Sequence, residues 1–314
     1  MSTTTNDFKF KGDAFENRYR FEGELLAKTP THVGTGGERK EVRTESKEPD
    51  VAPETQGIAL IARDFHDRPY LPGSSLRGVV RHYLLQIFRS FGRRIAQDPD
   101  YETEDSPILD QKGRKIKFRE LEQEQQKTYM RDHASLLEQL FGTPFAEGKI
   151  EFWDAPAVNT VAATNDADKE KGWQQERQSY VVRSVAINPL TGAAEGGKLY
   201  AFEVAPPGLR YHVNLVGQNL SDVELGFLLF GLFGFNSEIF PLTVGAMSGR
   251  GFGQMQFELK NLYRVKRDEL GNWVNMAGAG NHAGYSALPK VNLPVNQLIK
   301  PFKDAFHQKM KEVL

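Results

Sequence analysis

Apolar and polar side chains alternate along RYRFEGELLAKT, residues 18–29, and this period of two predicts a half-buried strand. GIALIARD, from Gly57 to Asp64, reads as a short buried strand, and the turn-rich HDRPYLPG that follows ends at Gly73. Leu76, Val79, Val80, Tyr83, Leu84, Ile87, Phe88 and Phe91 then recur at helical spacing, which predicts an amphipathic helix that Ser74 or Ser75 can cap. SYVVRSVAI and KLYAFEV are strand-like runs on either side of NPLTGAAEGG, so residues 180–204 form a long hairpin with its tip at Asn188 to Gly197. RYHVNLVG adds a strand. VELGFLLFGLFGF, capped by Ser221 or Asp222, is apolar almost all round and therefore a core helix. GAMSGRGFGQMQFELKNLYRVKR is a glycine-rich loop leading into a strand, and residues 271–314 form an extension ending in a short amphipathic helix. Between these elements, residues 38–56 are charged, contain Pro49 and Pro53, and read as an exposed loop; residues 93–131 read as a charged insertion with helical pieces. The order suits an α+β fold of the split-βαβ kind, with helices on one face of a sheet.

Composition narrows the function classes. The chain has 314 residues, 40 basic against 41 acidic groups, and no cysteine, which excludes disulfides, thiolate zinc sites, iron–sulfur clusters and cysteine nucleophiles. No run is apolar enough for a signal peptide or a membrane span, so a cytoplasmic protein without a membrane partner is expected. A net charge of -1 argues against indiscriminate binding of polyanions and leaves open a local grip.

Three segments have the chemistry of such a grip. GAMSGRGFGQ sets Ser248, Gly249, Arg250, Gly251 and Gly253 together, where glycine amides approach an anion and Arg250 adds a forked donor. The loop lacks the Gly-Lys-Ser/Thr ending of a Walker A motif, and it leads into a strand, unlike a dinucleotide-binding fingerprint. PYLPGSSLRGVVRH joins Ser74, Ser75, Arg77 and Arg81 to a helix N-terminus, and THVGTGGE supplies Gly34 and Gly36. An ordinary turn and an ordinary capped helix are the structural alternatives. Asp64, His66 and Asp67 are close in sequence, but their spacing matches no standard metal-ligand pattern; GxSxG and HExxH motifs are absent.

Taken together, THVGTGGE after the first strand, YLPGSSLRGVVRH opening the first helix and the C-terminal MSGRGFGQMQFE resemble the signature of the repeat-associated mysterious protein (RAMP) superfamily, the RNA-binding proteins of CRISPR systems. LFGTPFAEGKIEFWDA and VVRSVAINPLTGAAEGGKLYAFEVAPPG resemble subunits of type III effector complexes, and the match runs in order from about Arg18 to Leu259. The resemblance is nearest to the backbone, crRNA-binding subunits of Csm/Cmr-like complexes. It implies one RAMP domain over residues 1–314, with a modified ferredoxin-like or RRM-like palm, an inserted helical region and a thumb-like β-hairpin. The expected partners are crRNA, complementary target RNA, other RAMP subunits and the large subunit of the complex. Phosphate grips fall on Gly34, Gly36, Ser74, Ser75, Arg77, Arg81, Ser248, Gly249, Arg250, Gly251 and Gly253, with Arg183 on the hairpin and Pro189 and Leu190 as its wedge.

RNA binding of this kind needs no cofactor. Cleaving members of the superfamily use an acidic residue before the PGSS segment, with Mg²⁺ or another divalent metal, to promote attack by the target's 2′-hydroxyl. The corresponding interval, counted back from Pro72, ends at Gly57, which has no carboxylate. Asp50 and Glu54 in the same charged stretch are then the candidate catalytic and metal-binding residues, Asp50 first because the family uses aspartate. The alternatives to a crRNA-binding subunit are therefore a target-cutting endoribonuclease and a precursor-processing nuclease with His66 as general base.

Overall fold

The computed structural model describes residues 9–42, 55–97, 108–109, 112–163, 172–187, 190–191, 194–278 and 288–313. From the N-terminus the chain runs through β1 (Asn17–Ala27), β2 (Gly34–Val42), β3 (Thr55–Ile61), β4 (Tyr70–Leu71) and α1 (Gly73–Phe88). Next come β5 (Ile108–Leu109), β6 (Lys115–Ile116), α2 (Gln123–His133), α3 (Leu136–Phe141), β7 (Gly142–Thr143), β8 (Ala146–Glu147), β9 (Ile150–Phe152) and β10 (Ala155–Pro156). The second half contains β11 (Tyr180–Ile187), β12 (Ala194–Val204), β13 (Arg210–Gln218), α4 (Asp222–Phe233), β14 (Met255–Lys266), α5 (Leu270–Gly278) and α6 (Val295–Val313).

The main sheet has the order β14-β1-β13-β9, and every neighbouring pair is antiparallel. With α1 between β1 and β9, and α4 between β13 and β14, the connectivity is that of a split βαβ and is compatible with a ferredoxin-like palm. Alternation decides the faces. Tyr19, Phe21, Leu25 and Ala27 of β1 are buried, while Arg18, Arg20, Glu22 and Glu24 lie on the half-exposed face. On that face Glu22 accepts hydrogen bonds from Arg20 (2.7 Å), Asn261 (3.0 Å) and Tyr263 (2.8 Å).

The buried face carries α1, α4 and α6. Leu225, Phe227, Leu228, Leu229 and Leu232 of α4 are all inside, each burial being worth roughly 1.5–3 kcal/mol. Gly226 makes room for α6, because a Cβ there would come within 2.1 Å of the Phe302 carbonyl oxygen. At the start of α4 the expected cap is Ser221: its hydroxyl accepts from the Glu224 amide, and Glu224 answers in a capping box. Glu224 also forms a buried ion pair with Lys149 (2.7 Å), the burial lowering the lysine's affinity for its proton and the carboxylate partly restoring it.

A second sheet, β11-β12-β3-β2, is made of two hairpins joined by parallel pairing of β12 with β3 at Ala201–Ile58 and Phe202–Ala59. The hairpin expected at 180–204 is therefore observed as β11 and β12. The segment 38–56 departs from its expected loop form: Glu38–Val42 and Thr55–Gln56 are strand, and residues 43–54 lie outside the described residues. The C-terminal helix is not short. α6 spans 19 residues and buries Leu298, Ile299, Phe302, Phe306 and Met310, so the extension completes the core. Within residues 93–131, α2 and the small β5/β6 pair are the regular pieces. No described helix is long and apolar enough to cross a membrane.

Candidate nucleic-acid interface

The glycine-rich loop is stitched to the chain just after β1. Ala246 N–H donates to the His32 carbonyl (2.8 Å), Gly253 N–H to the Pro30 carbonyl (2.9 Å) and Gln254 N–H to the Thr29 hydroxyl (3.0 Å). At Gly245 and Gly253 a Cβ would fall 2.2 Å from the His32 oxygen and 2.1 Å from the Val244 oxygen, and both residues have positive φ. Glycine is required there by contact and by conformation.

The tip is different. Ser248–Arg250 form one turn closed by Arg250 N–H to Met247 O and Gly251 N–H to Ser248 O, both 2.9 Å. Ser248, Gly249, Arg250 and Gly251 are exposed, and nothing lies within 4 Å of a Cβ built at Gly249 or Gly251. Two of the tip's amides are used in the turn, leaving those of Ser248 and Gly249 as the anion donors to consider.

Arg250 is held from behind. Its guanidinium carbon lies 5.1 Å from the centre of the Tyr200 ring, a cation–π contact. Tyr200 stacks on Phe202 (6.2 Å), and Phe202 meets His32 (5.6 Å) and Phe252 (5.7 Å) edge-on. These rings tie β12 to the glycine loop and to the THVGTGG segment. Thr31, His32 and Val33 are buried, and the His32 Nδ1–H donates to the Glu203 carbonyl (2.6 Å), while Gly34 and Gly36 emerge exposed at the start of β2.

Glu203 and Arg63 are absent from the sequence-derived site, yet they lock the second sheet beneath it. Arg63 donates to Glu203 (2.6 Å), to the Ser179 hydroxyl (2.7 Å) and to the carbonyls of Asp67 and Arg177 (both 2.7 Å). Glu203 also accepts from Ser179 (2.7 Å) and from the Ile61 amide (3.2 Å). Burial pushes the Glu203 carboxyl up, but the bonds from Ser179 and Arg63 and the Arg63 charge outweigh it and hold the carboxyl below its ordinary value. The only sequence signals were an arginine after a buried strand and a glutamate in an apolar one.

The PGSS segment is less available than its sequence suggests. Pro72, not Ser74 or Ser75, is the N-cap of α1, because the helix begins at Gly73. The Gly73 amide is already taken by the Asp154 carboxylate (2.8 Å). Ser74 is exposed and Ser75 half-buried. Arg77 points inward and donates to the Phe141 carbonyl at the end of α3, so its guanidinium serves the fold. Arg81 is half-buried one turn on. The segment joins the THVGTGG region through Ala62, whose amide donates to Val33 O (2.7 Å) and whose carbonyl accepts from Tyr70 N (3.3 Å).

Arg183 on β11 pairs with Glu41 of β2 at 2.7 Å, an exposed pair worth little to stability. Leu190 at the hairpin tip is 94% exposed; Pro189 lies outside the described residues, as do Asp50 and Glu54. Gly57 sits on β3, and a Cβ built on it would be 2.8 Å from Glu38 Oε2, so a carboxylate from the opposite strand stands beside that position. Asp64 accepts from the amides of His66 (2.9 Å) and Arg68 (3.0 Å) and from the Arg68 side chain, which makes it a turn residue. Among the described residues no three His, Asp or Glu side chains are grouped to hold a metal ion.

A family model of the RAMP superfamily matches residues 24–256, which takes in the THVGTGG segment, α1, the second sheet and the whole glycine loop. The chain belongs to the RAMP superfamily. Its general role is thereby CRISPR-associated RNA binding, and the geometry of this RAMP protein bears on where the RNA is held. No curated protein matches the chain.

Proposed function

We propose that this RAMP protein is a crRNA-binding backbone subunit of a type III CRISPR ribonucleoprotein and helps hold complementary target RNA. The observation that carries the reading is the meeting of the glycine-loop tip, the THVGTGG segment and the base of the β11/β12 hairpin around Arg250, Tyr200 and His32. The tip offers amides and a cation to guide phosphates, while the hairpin and its exposed Leu190 act as a thumb against the guide–target duplex. The partners are the guide, the target RNA, further RAMP subunits and the large subunit. RNA binding needs no cofactor. Arg250→Ala is expected to weaken guide retention in the purified ribonucleoprotein and to reduce the salt dependence by about one phosphate contact, read by filter binding across ionic strength. Retention unchanged at every salt concentration would sink the grip. Arg77→Ala is a poor probe, because it removes a bond to the Phe141 carbonyl.

A second reading, target cutting, is favoured by the place of Glu38 beside Gly57. A carboxylate there could take the proton from a ribose 2′-hydroxyl, whose oxygen would then attack the adjacent phosphate to form a 2′,3′-cyclic phosphate as the P–O5′ bond breaks, the leaving 5′ oxygen taking its proton from water. Incubating the assembled complex with complementary RNA and Mg²⁺ separates the readings: loss of one evenly placed cut in Glu38→Gln, Asp50→Ala or Glu54→Ala identifies the carboxylate that acts. Cutting unaffected by all three leaves the binding role alone.

A further inference from the structure

The second sheet carries a row of rings on the side that the glycine-loop tip occupies. In the β11/β12 ladder Tyr180 stands opposite Val204, Val182 opposite Phe202 and Ser184 opposite Tyr200, with an unbroken register over that stretch. Opposed side chains share a face, so Tyr180, Val182 and Ser184 lie on the face of Tyr200 and Phe202, where Arg250 covers the Tyr200 ring. Ser179 and Val181 turn the other way, to the Arg63–Glu203 lock and to the small core of Ile58 and Ala201. Trp173, in the turn before β11, brings its ring within 6.4 Å of the Tyr180 ring. Trp173, Tyr180 and Tyr200 are all half-buried, so each keeps part of its surface open. The turn is stiff. Gln174 and Ser179 exchange backbone hydrogen bonds (2.9 and 3.4 Å), the buried Gln178 amide accepts from Val161 N–H (2.6 Å) and donates to Val161 O (3.1 Å), and the Trp173 indole N–H donates to Gln175 (3.0 Å).

We propose that Trp173 and Tyr180 form a base-stacking platform for unpaired RNA nucleotides, continuous with the phosphate grip at Arg250. The platform rests on the RNA-binding reading above and assigns the bases of the strand whose backbone that grip holds. Three observations select RNA as occupant. The rings share a face with Arg250, and the Tyr200 ring joins the two parts, so one strand can reach both. Among the described residues Arg250 has no carboxylate partner, which leaves its charge for a phosphate beside the rings. The span also fits: Tyr180 is four residues along β11 from the Ser184–Tyr200 pair, ~13 Å at about 3.3 Å per residue, or on the order of four stacked nucleotides at about 3.4 Å each. Every base has a π-face, so stacking here holds any sequence and leaves the reading of sequence to base pairing.

The test is binding of an unstructured oligouridylate to the full-length chain, with Trp173 made the only one of its three tryptophans by Trp153→Phe and Trp273→Phe. Emission should be quenched as the strand binds. An abasic strand with the same phosphates should bind more weakly and leave the emission unquenched. Trp173→Leu and Tyr180→Leu should each lower affinity roughly five- to 150-fold without changing the salt slope, whereas Trp173→Phe, which keeps a ring, should retain most of the binding. Arg250→Ala should instead reduce the slope. Equal affinity for abasic and intact strands, or unquenched emission with the intact strand bound, would overturn the platform and leave the phosphate grip standing; this comparison needs no substitution at either ring and so holds even where a leucine variant melts early. Absence of binding at every ionic strength would overturn platform and grip together.

Discussion

Glu203→Ala is expected to destabilise the protein by about 3–5 kcal/mol, the range for removing one partner of a buried ion pair. The reason lies in what is left behind. Arg63 has a side chain only 10% exposed and would lose its buried counter-charge, keeping only the longer contact (3.6 Å) to the exposed Asp67 carboxylate, while the Ile61 amide and Ser179 hydroxyl would lose an acceptor. Glu203→Gln keeps an acceptor and the volume and should lose less. The pH dependence follows from the depressed carboxyl. Its stabilising contribution is complete above the ordinary carboxylate range and disappears as the pH falls through the lower folded-state value. Urea denaturation from neutral pH downward should show this loss in wild type and a flatter profile in Glu203→Gln. Equal profiles would mean that Glu203 is not the group that titrates.

Gly253→Ala is expected to abolish guide binding while Gly249→Ala leaves stability nearly unchanged, although both lie in the same motif. At Gly253 the new methyl would sit 2.1 Å from a backbone oxygen on a residue with φ of +74°, so the loop must leave its seat on Pro30. The expected loss of stability is about 1–3 kcal/mol from backbone strain, with further loss from the collision. At Gly249 the methyl meets open space, and any fall in affinity there reports close approach of RNA to the backbone. Thermal melts paired with filter binding distinguish the two. A Gly253→Ala protein that binds guide normally would remove the loop from the interface.

Much of this was legible in the sequence because it depended on local patterns. The period-two run at Arg18, the apolar stripe of α1 and the glycine spacing at 245–253 each announce an element without help from the rest of the chain. β2 was hidden because its described residues are mostly exposed: paired with β3 on one edge and covering little core, it has no apolar alternation to display. α6 is longer than the short helix expected because Pro301, a helix breaker by sequence, lies inside it and is accommodated. The Arg63–Glu203 lock was out of reach for a different reason. Its partners are separated by 140 positions, and neither carries a motif. The same holds for Asp154 at the start of α1, 81 positions from the amide it accepts. Arg77 shows the converse, a residue whose motif suggested a ligand and whose packing uses it for the fold.

The central position of β1 has a bearing on biosynthesis. Both of its edges are occupied by strands made much later: Arg18 bonds to Gln218, 200 residues on, and β14 closes the other side later still. At a translation rate of roughly 5–20 residues per second, the first strand waits on the order of 10–40 s for its first partner and longer for its second. A strand with two open edges is a template for wrong pairing. Yield of this chain in a cell should therefore depend on what shields its first thirty or so residues during synthesis, and slowing translation should aggravate the problem.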